Sequence, residues 1–387
     1  MIRANLLIAV VGVLPSKEFI NSSDALEPVM IELPTPDEST LGDVAQRLKI
    51  GRYVDHSSVP LGFDIEAPGT AGLWRVHVQG DRGQGAAVVK VLRHPSEWPV
   101  LASMPPEARE FFLRTFPWSQ DPDVLAEVAP CCPDGLRTVG LLGAQWHGKH
   151  LRSMWLEDLG DVQIFTTASQ FERAARLLGE MTGIRAAAGS PLSEQFDDGF
   201  ALTMIARERV RGMDLRLLAG MLDDPGTTLP RDLVKDLLWV GDHIDRLLCA
   251  LGELPQTPVH GDAAPDNLVL DPGDDGTIVL IDLAQTPRHA VGFDLGQMVF
   301  GRHSPVLALG EDAIDRIVEE YAAGLALGGL PVDVPTVWAG FVGSAVIRNA
   351  FEVADATTGL PGKIAAAQYL VEKTSELGLV PRRTPTT

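Results

Sequence analysis

The sequence predicts an α+β protein of two lobes: a small antiparallel β-sheet carrying one helix, then a larger, mainly helical half. Three observations predict it. The chain has 387 residues, beyond the size at which one hydrophobic core usually stops growing. Over positions 50–159 its apolar residues fall in short β-rich runs with turn residues between them. Beyond position 160 the apolar period changes from two to about 3.6, the repeat of an amphipathic helix.

Positions 1–49 read as an N-terminal extension. Arg3 precedes the apolar run "ANLLIAVVGVL", which is shorter than the roughly 20 residues a bilayer span takes. No small-x-small cleavage site follows it, only Pro15, Lys17 and Glu18, so an early strand or a misplaced start codon is expected rather than a signal peptide. "IELPTPDEST", broken by Pro34 and Pro36, reads as a connection.

Positions 50–159 form the sheet-rich lobe. "LWRVHVQ" and "AAVVKVL" flank the turn "GDRGQG", and "LRTVGLLGAQ" and "HLRSMWLE" flank "WHGK", giving two hairpins. A further strand, "FDIE", precedes the first hairpin, and "PPEAREFFLRTF", opened by Pro105 and Pro106, supplies the helix between the two.

Positions 160–387 form the helical lobe. Ser169 with Glu172 makes a capping box ahead of the stripe Phe171, Ala175, Leu178 and Met181. A long helix is expected over 231–251, with Leu233, Leu237, Val240, Ile244, Leu247 and Leu251 on one face. Others follow over 313–327, 334–353 and 364–377, where Trp338, Phe341, Val342 and Ala345 read as core.

Composition narrows the function. Hydrophobic residues at 45% and charged residues at 22% exclude a disordered chain. Thirty-two Lys and Arg against fifty-two Asp and Glu give a net charge of -20, which opposes binding to nucleic acid and anionic membranes and suits a cationic substrate or simply a solvated surface. Cys131, Cys132 and Cys249 form neither a disulfide framework nor a metal-ligand spacing, which fits a reducing, cytoplasmic setting. His56, His147, His150, His289 and His303 show no zinc pairing.

The chemistry concentrates in "VHGDAAPDNLVLDPGDDGTIVLIDLAQTPRHAVGFDLG" at 259–296, which sets Asp262, Asn267 and Asp282 around an expected hairpin. Phosphoryl transfer needs a group to orient the attacking hydroxyl and hard oxygen ligands for Mg²⁺ on the nucleotide phosphates, and these residue types meet both needs. "TIVLID" ends a β-branched strand on Asp282, so its carboxylate is expected to leave the strand end towards the other two.

His260, Gly261, Asp262 and Asn267 resemble the catalytic loop of the aminoglycoside phosphotransferase and choline kinase family, small-molecule kinases of protein-kinase-like fold. The resemblance covers about 50–380, and the full protein-kinase signature set is missing. It implies a nucleotide-binding N-lobe over 50–159, a catalytic and substrate-binding C-lobe over 160–387, and ATP between them. It implies further that Asp262 orients the acceptor hydroxyl, that Asn267 and Asp282 ligate Mg²⁺, and that Asp294 in "GFDLG" buttresses the loop.

In the first half the same resemblance assigns Lys90, amid the apolar "AAVVKVL", to the ATP phosphates, with Glu110 preferred over Glu107 as its carboxylate partner. Gly69, Thr70 and Gly72 of "APGTAG" would cover the phosphates, and Glu157, Asp158 and Leu159 of "MWLEDLG" would meet adenine through their main chain. The expected function is transfer of the ATP γ-phosphate to a hydroxyl of a small polar molecule, cationic in one reading. The acid-rich stretch with Asp197, Asp198, Asp214, Asp223 and Asp224 lies where the family's substrate-facing insertion tends to fall. A nucleotide-binding module without turnover and an atypical protein kinase are the alternatives. Nothing in the sequence speaks to oligomeric state.

Overall fold

The structure, a computed structural model, describes residues 31–62, 68–98, 101, 102, 104, 106–190, 192, 200–271, 273, 276–283, 287–301, 304–355 and 360–383. The apolar run near the N-terminus, the strand "FDIE", Pro105, Asp197, Asp198 and His303 lie outside the described residues. The chain divides into two compact units, one ending at Ala129 and resuming over Thr138–Val162, the other comprising Pro130–Arg137 and Gln163–Thr387. No described helix is long and apolar enough to cross a membrane.

In the first unit Asp37 stands in extended backbone and accepts the Thr40 N–H at 2.7 Å, capping α1 (Glu38–Arg47). The segment read as a plain connection thus runs into a helix, and Leu41, Val44 and Ala45 bury its inner face. Five antiparallel strands follow in the order β1-β2-β3-β6-β5: β1 (Tyr53–Leu61), β2 (Thr70–Gly80), β3 (Gln84–Arg93), β5 (Leu141–His147) and β6 (Leu151–Glu157). Trp74, Val76, Val78, Val89, Val91 and Trp155 alternate onto one face and close the core beneath α1.

Two more helices, α2 (Pro106–Thr115) and α3 (Asp121–Val128), join this sheet, so it carries two helices beside the expected one. The run "LRTVGLLGAQ" is not one strand. β4 (Leu136–Thr138) pairs in a separate three-stranded sheet, and β5 begins only after Gly140, whose carbonyl accepts the Glu157 N–H and whose N–H donates to the Glu157 side chain, both at 2.8 Å.

In the second unit α4 (Ala168–Ala188) buries the expected stripe, but its box is Thr167 with Gln170, whose Oε1 reaches back to the Thr167 N–H at 3.1 Å; Ser169 is already helical. A short α5 (Phe200–Met204), a π-helix (Ile205–Asp214) and α6 (Leu215–Asp223) come next. The long helix expected over 231–251 is two, α7 (Arg231–Asp242) and α8 (Ile244–Gly252). At the break the His243 ring takes the Trp239 carbonyl at 2.8 Å, and the His243 N–H tightens onto Val240 at 3.0 Å instead.

Short strands β7 (Gln256–Pro258), β8 (Leu268–Leu270), β9 (Ile278–Leu280) and β10 (Arg288–Ala290) form a β4-β9-β8 sheet and a β10-β7 pair. The helices α9 (Phe293–Phe300), α10 (Val306–Leu309), α11 (Glu311–Leu327), α12 (Val334–Asn349) and α13 (Leu360–Glu376) complete the unit. Phe341, Val342 and Ala345 of α12 are fully buried, as core residues should be.

Candidate active site

The loop after β7 is fixed from behind. Gly261 sits at φ +91°, a left-handed turn that glycine adopts without strain. Asp294, in the first turn of α9 and fully buried, accepts the backbone N–H of His260 at 2.8 Å and of Gly261 at 2.9 Å. The His260 ring is fully buried, accepts the Asp262 N–H at Nδ1 (3.3 Å) and lies against the Ile281 backbone; burial above all lowers its pKa to about 4, so it is neutral.

A 3₁₀ turn at Pro265–Asn267 folds the chain back, so that Asn267 Nδ2 donates to the Asp262 carbonyl at 2.8 Å and to its Oδ2 at 3.1 Å. β8 and β9 then pair with Leu268 opposite Leu280, and the Ile281 N–H donates to the Asn267 carbonyl at 3.0 Å. That register returns Asp282 to the neighbourhood of Asp262. Asp282 is half-buried with φ +61°, a conformation rare outside glycine and costly enough to mark a constrained site.

The second wall comes from a residue the sequence reading passed over. Arg348, on α12 and 3% exposed, donates from Nη1 to the Gly261 carbonyl at 2.8 Å and sets Nη2 3.5 Å from Asp262 Oδ1. Its guanidinium lies 5.0 Å from the Phe293 ring centroid. The signal was present: an arginine inside the apolar run "FVGSAVIRNAF" is a buried charge that requires a partner. Burial raises the Asp262 pKa to about 6 against the pull of Arg348, with Asp282 and Asp266 pushing the same way as burial.

In the first unit Lys90 faces away from Val89 and Val91, is 8% exposed, and pairs with Asp121 Oδ2 at 2.8 Å. Asp121 opens α3 behind Gln120, with Pro122 in its first turn, and is 3% exposed. The expected partner Glu110 is exposed on α2 and is not that carboxylate, because the buried lysine takes a carboxylate that is itself buried; the Glu107 side chain lies outside the described residues.

Thr70 and Gly72 belong to β2 rather than to a loop, and the Gly69 carbonyl accepts the Arg93 N–H at 2.9 Å. A Cβ on Gly72 would come within 2.1 Å of the Trp74 ring, so packing alone accounts for that glycine. Beyond β6, Glu157 binds Gly140, Asp158 pairs with Arg75 at 2.7 Å, and half-buried Leu159 follows in irregular backbone. The side chains of 157 and 158 are thus taken up by neighbours.

Residues 75–333 match the phosphotransferase enzyme family (APH), which is more than half of the chain. The chain belongs to that family. It is a small-molecule kinase of the α+β type, and membership implies ATP use and, as a rule, a divalent cation. Among solved structures it is similar to a choline kinase from Cryptosporidium parvum Iowa II (10% identity, 84% of this chain and 92% of that one, TM-score 0.49). It is also similar to an aminoglycoside phosphotransferase from Alicyclobacillus acidocaldarius (11%, 90% and 95%, 0.46) and to Plasmodium vivax ethanolamine kinase (8%, 93% and 98%, 0.47). No curated protein matches the chain in sequence.

Among the described residues no three His, Cys, Asp or Glu side chains gather as a metal site of their own. Mg²⁺ on a nucleotide asks for less, one or two carboxylates with the phosphates supplying the rest. With Nδ2 of Asn267 committed to Asp262, its amide oxygen faces the other way, and that oxygen with the Asp282 carboxylate is a hard donor set. The residues fit.

Proposed function

We propose that the chain transfers the γ-phosphate of ATP to a hydroxyl of a small, polar, cationic molecule such as an amino sugar, an amino alcohol or an aminoglycoside. The observation that carries this reading is the hold on Asp262. Asn267 and Arg348 grip one oxygen each, and a backbone clamped by Asp294 fixes the loop beneath.

On this reading Asp262 accepts a hydrogen bond from the acceptor hydroxyl and takes its proton as the new O–P bond forms and the bond to the departing ADP breaks. A raised carboxyl pKa suits a group that must receive a proton near neutrality. Asn267 and Asp282 would hold Mg²⁺, which when bound offsets the charge on the phosphates. Lys90, oriented by Asp121, would contact those phosphates, Gly69, Thr70 and Gly72 would line them, and the main chain of Glu157, Asp158 and Leu159 would meet adenine. An ATP requirement supports a cytoplasmic location, and a net charge of -20 argues against nucleic acid and anionic membranes as partners.

That charge also supports the cationic acceptor. The acid-rich stretch before α7 adds little, because Asp214 is buried against Arg209 and Asp224 holds the Gly226 N–H at 2.8 Å. The test is ADP release with Mg-ATP across a panel of amino sugars, amino alcohols, aminoglycosides and protein substrates. At least one cationic small molecule should stimulate it, and Asp262→Ala should lower kcat by about 100-fold or more with nucleotide binding kept. Stimulation by protein alone, or full turnover in the variant, would overturn the reading.

A further inference from the structure

Arg348 holds the catalytic loop, and it is itself held. The π-helix Ile205–Asp214 carries Arg209 and Asp214 five positions apart. In an α-helix five residues turn the chain about 140° past a full revolution, which would separate the two side chains. The i to i+5 bonding of a π-helix instead sets them one turn apart. Arg209 Nε lies 3.2 Å from Asp214 Oδ2, and the residues are 4% and 0% exposed.

As a stabilising contact the pair is poor, since neither Asp214 oxygen meets hydrogen-bond geometry and burial raises its carboxyl pKa to about 7 in spite of Arg209. A buried ion pair of this kind is commonly no better for stability than apolar residues of similar volume. Its geometry points elsewhere. Arg209 Nη1 donates to the backbone carbonyl of Arg348 at 3.3 Å, and the Arg348 side chain then reaches Gly261 and Asp262. An unbroken line of contacts therefore runs from Asp214 through Arg209 and Arg348 to the loop.

We infer that Arg209 and Asp214 are positioning residues for phosphotransfer: the wide turn of the π-helix brings them together so that they fix the end of α12, and through it the contact of Arg348 with Asp262. The inference rests on the reading of Asp262 given above.

The experiment replaces the pair with apolar residues, Arg209→Met with Asp214→Leu, beside Asp214→Asn alone, Arg348→Met, and the triple variant. Each full-length protein is assayed for urea unfolding, for amide exchange over 260–267 with α4 as internal control, and for kcat and KM with Mg-ATP. The apolar pair should leave unfolding free energy and α4 exchange as in the wild type. It should speed exchange over 260–267 and lower kcat by about tenfold, with KM for ATP within about twofold. The triple variant should be no worse than Arg348→Met, because coupled residues do not add.

Unchanged exchange over 260–267 in both the apolar pair and Asp214→Asn overturns the inference, and so does a triple-variant loss equal to the product of the separate losses. Should the wild type release no ADP with any acceptor, the phosphotransfer reading fails by itself, and the exchange data still decide whether the pair is coupled to the loop.

Discussion

Asp294 accepts the backbone N–H of Gly261 at 2.9 Å, so a carboxylate at the start of a helix takes the place of a strand partner for a loop that has none. Its other oxygen serves His260 in the same way, at 2.8 Å. Asp294→Ala leaves two buried donors unpaired, at about 1 to 3 kcal/mol for each. Chemical unfolding should show a loss of about 2 kcal/mol or more with kcat reduced. A variant as stable as the wild type would show that the clamp carries no weight.

Much of this loop was legible in the sequence because its determinants are local. A glycine that must turn at φ +91°, the carboxylate beside it, an amide five residues on and Asp282 just past a short strand all lie between 261 and 282. Arg348 arrives from a helix 86 positions later, and only its awkwardness inside an apolar run announced it. The same holds for Asp121, whose pairing with Lys90 spans 31 positions and two elements. No apolar period marks the π-helix, and the break at His243 depends on one ring competing for one carbonyl. Long-range pairing and side-chain competition are what periodicity does not encode.

The Lys90 pairing brings in a carboxylate that the sequence did not single out, Asp121, while Glu110 stays exposed. Asp121→Asn removes the charge facing a buried ammonium, so KM for ATP should rise about tenfold and the melting temperature should fall. Glu110→Gln, on an exposed side chain, should leave both within experimental error. The reverse pattern would return the lysine partner to α2.

Burial of His260 makes a prediction about pH. Its folded-state pKa of about 4 lies below the ordinary 6.5, so the neutral ring is favoured by the fold. The stability it contributes is fully present above pH 6.5 and is lost as pH falls towards 4, a change on the order of 3 kcal/mol. His289, lowered to about 3 by burial, acts in the same direction. Asp214 acts in the opposite one, its raised pKa adding stability as pH falls from about 7. The net slope mixes these, and the difference between wild type and His260→Asn isolates one of them. Urea unfolding at pH 7.5 and 5.0 should show the variant losing less on acidification; equal losses would mean that His260 titrates normally in the fold.

Gly72 offers a direct contest between packing and phosphate contact. Its missing side chain is explained by Trp74, whose ring would lie 2.1 Å from an added Cβ and is 4% exposed, so it cannot swing into solvent without opening the core. Gly72→Ala should therefore cost about 1 to 3 kcal/mol, the usual penalty of overpacking. Trimming the obstacle should relieve that cost: in a Trp74→Leu background the same alanine should be nearly neutral, a coupling that a double-mutant cycle reads directly. If packing is the whole reason for the glycine, KM for ATP follows stability and recovers in the double variant. If the β2 backbone at 72 must also adopt a glycine-specific conformation to approach the phosphates, stability recovers while KM stays raised, because alanine removes that backbone freedom whether or not Trp74 is present. The first outcome would remove Gly72 from the nucleotide site and leave Gly69 and Thr70 to line it.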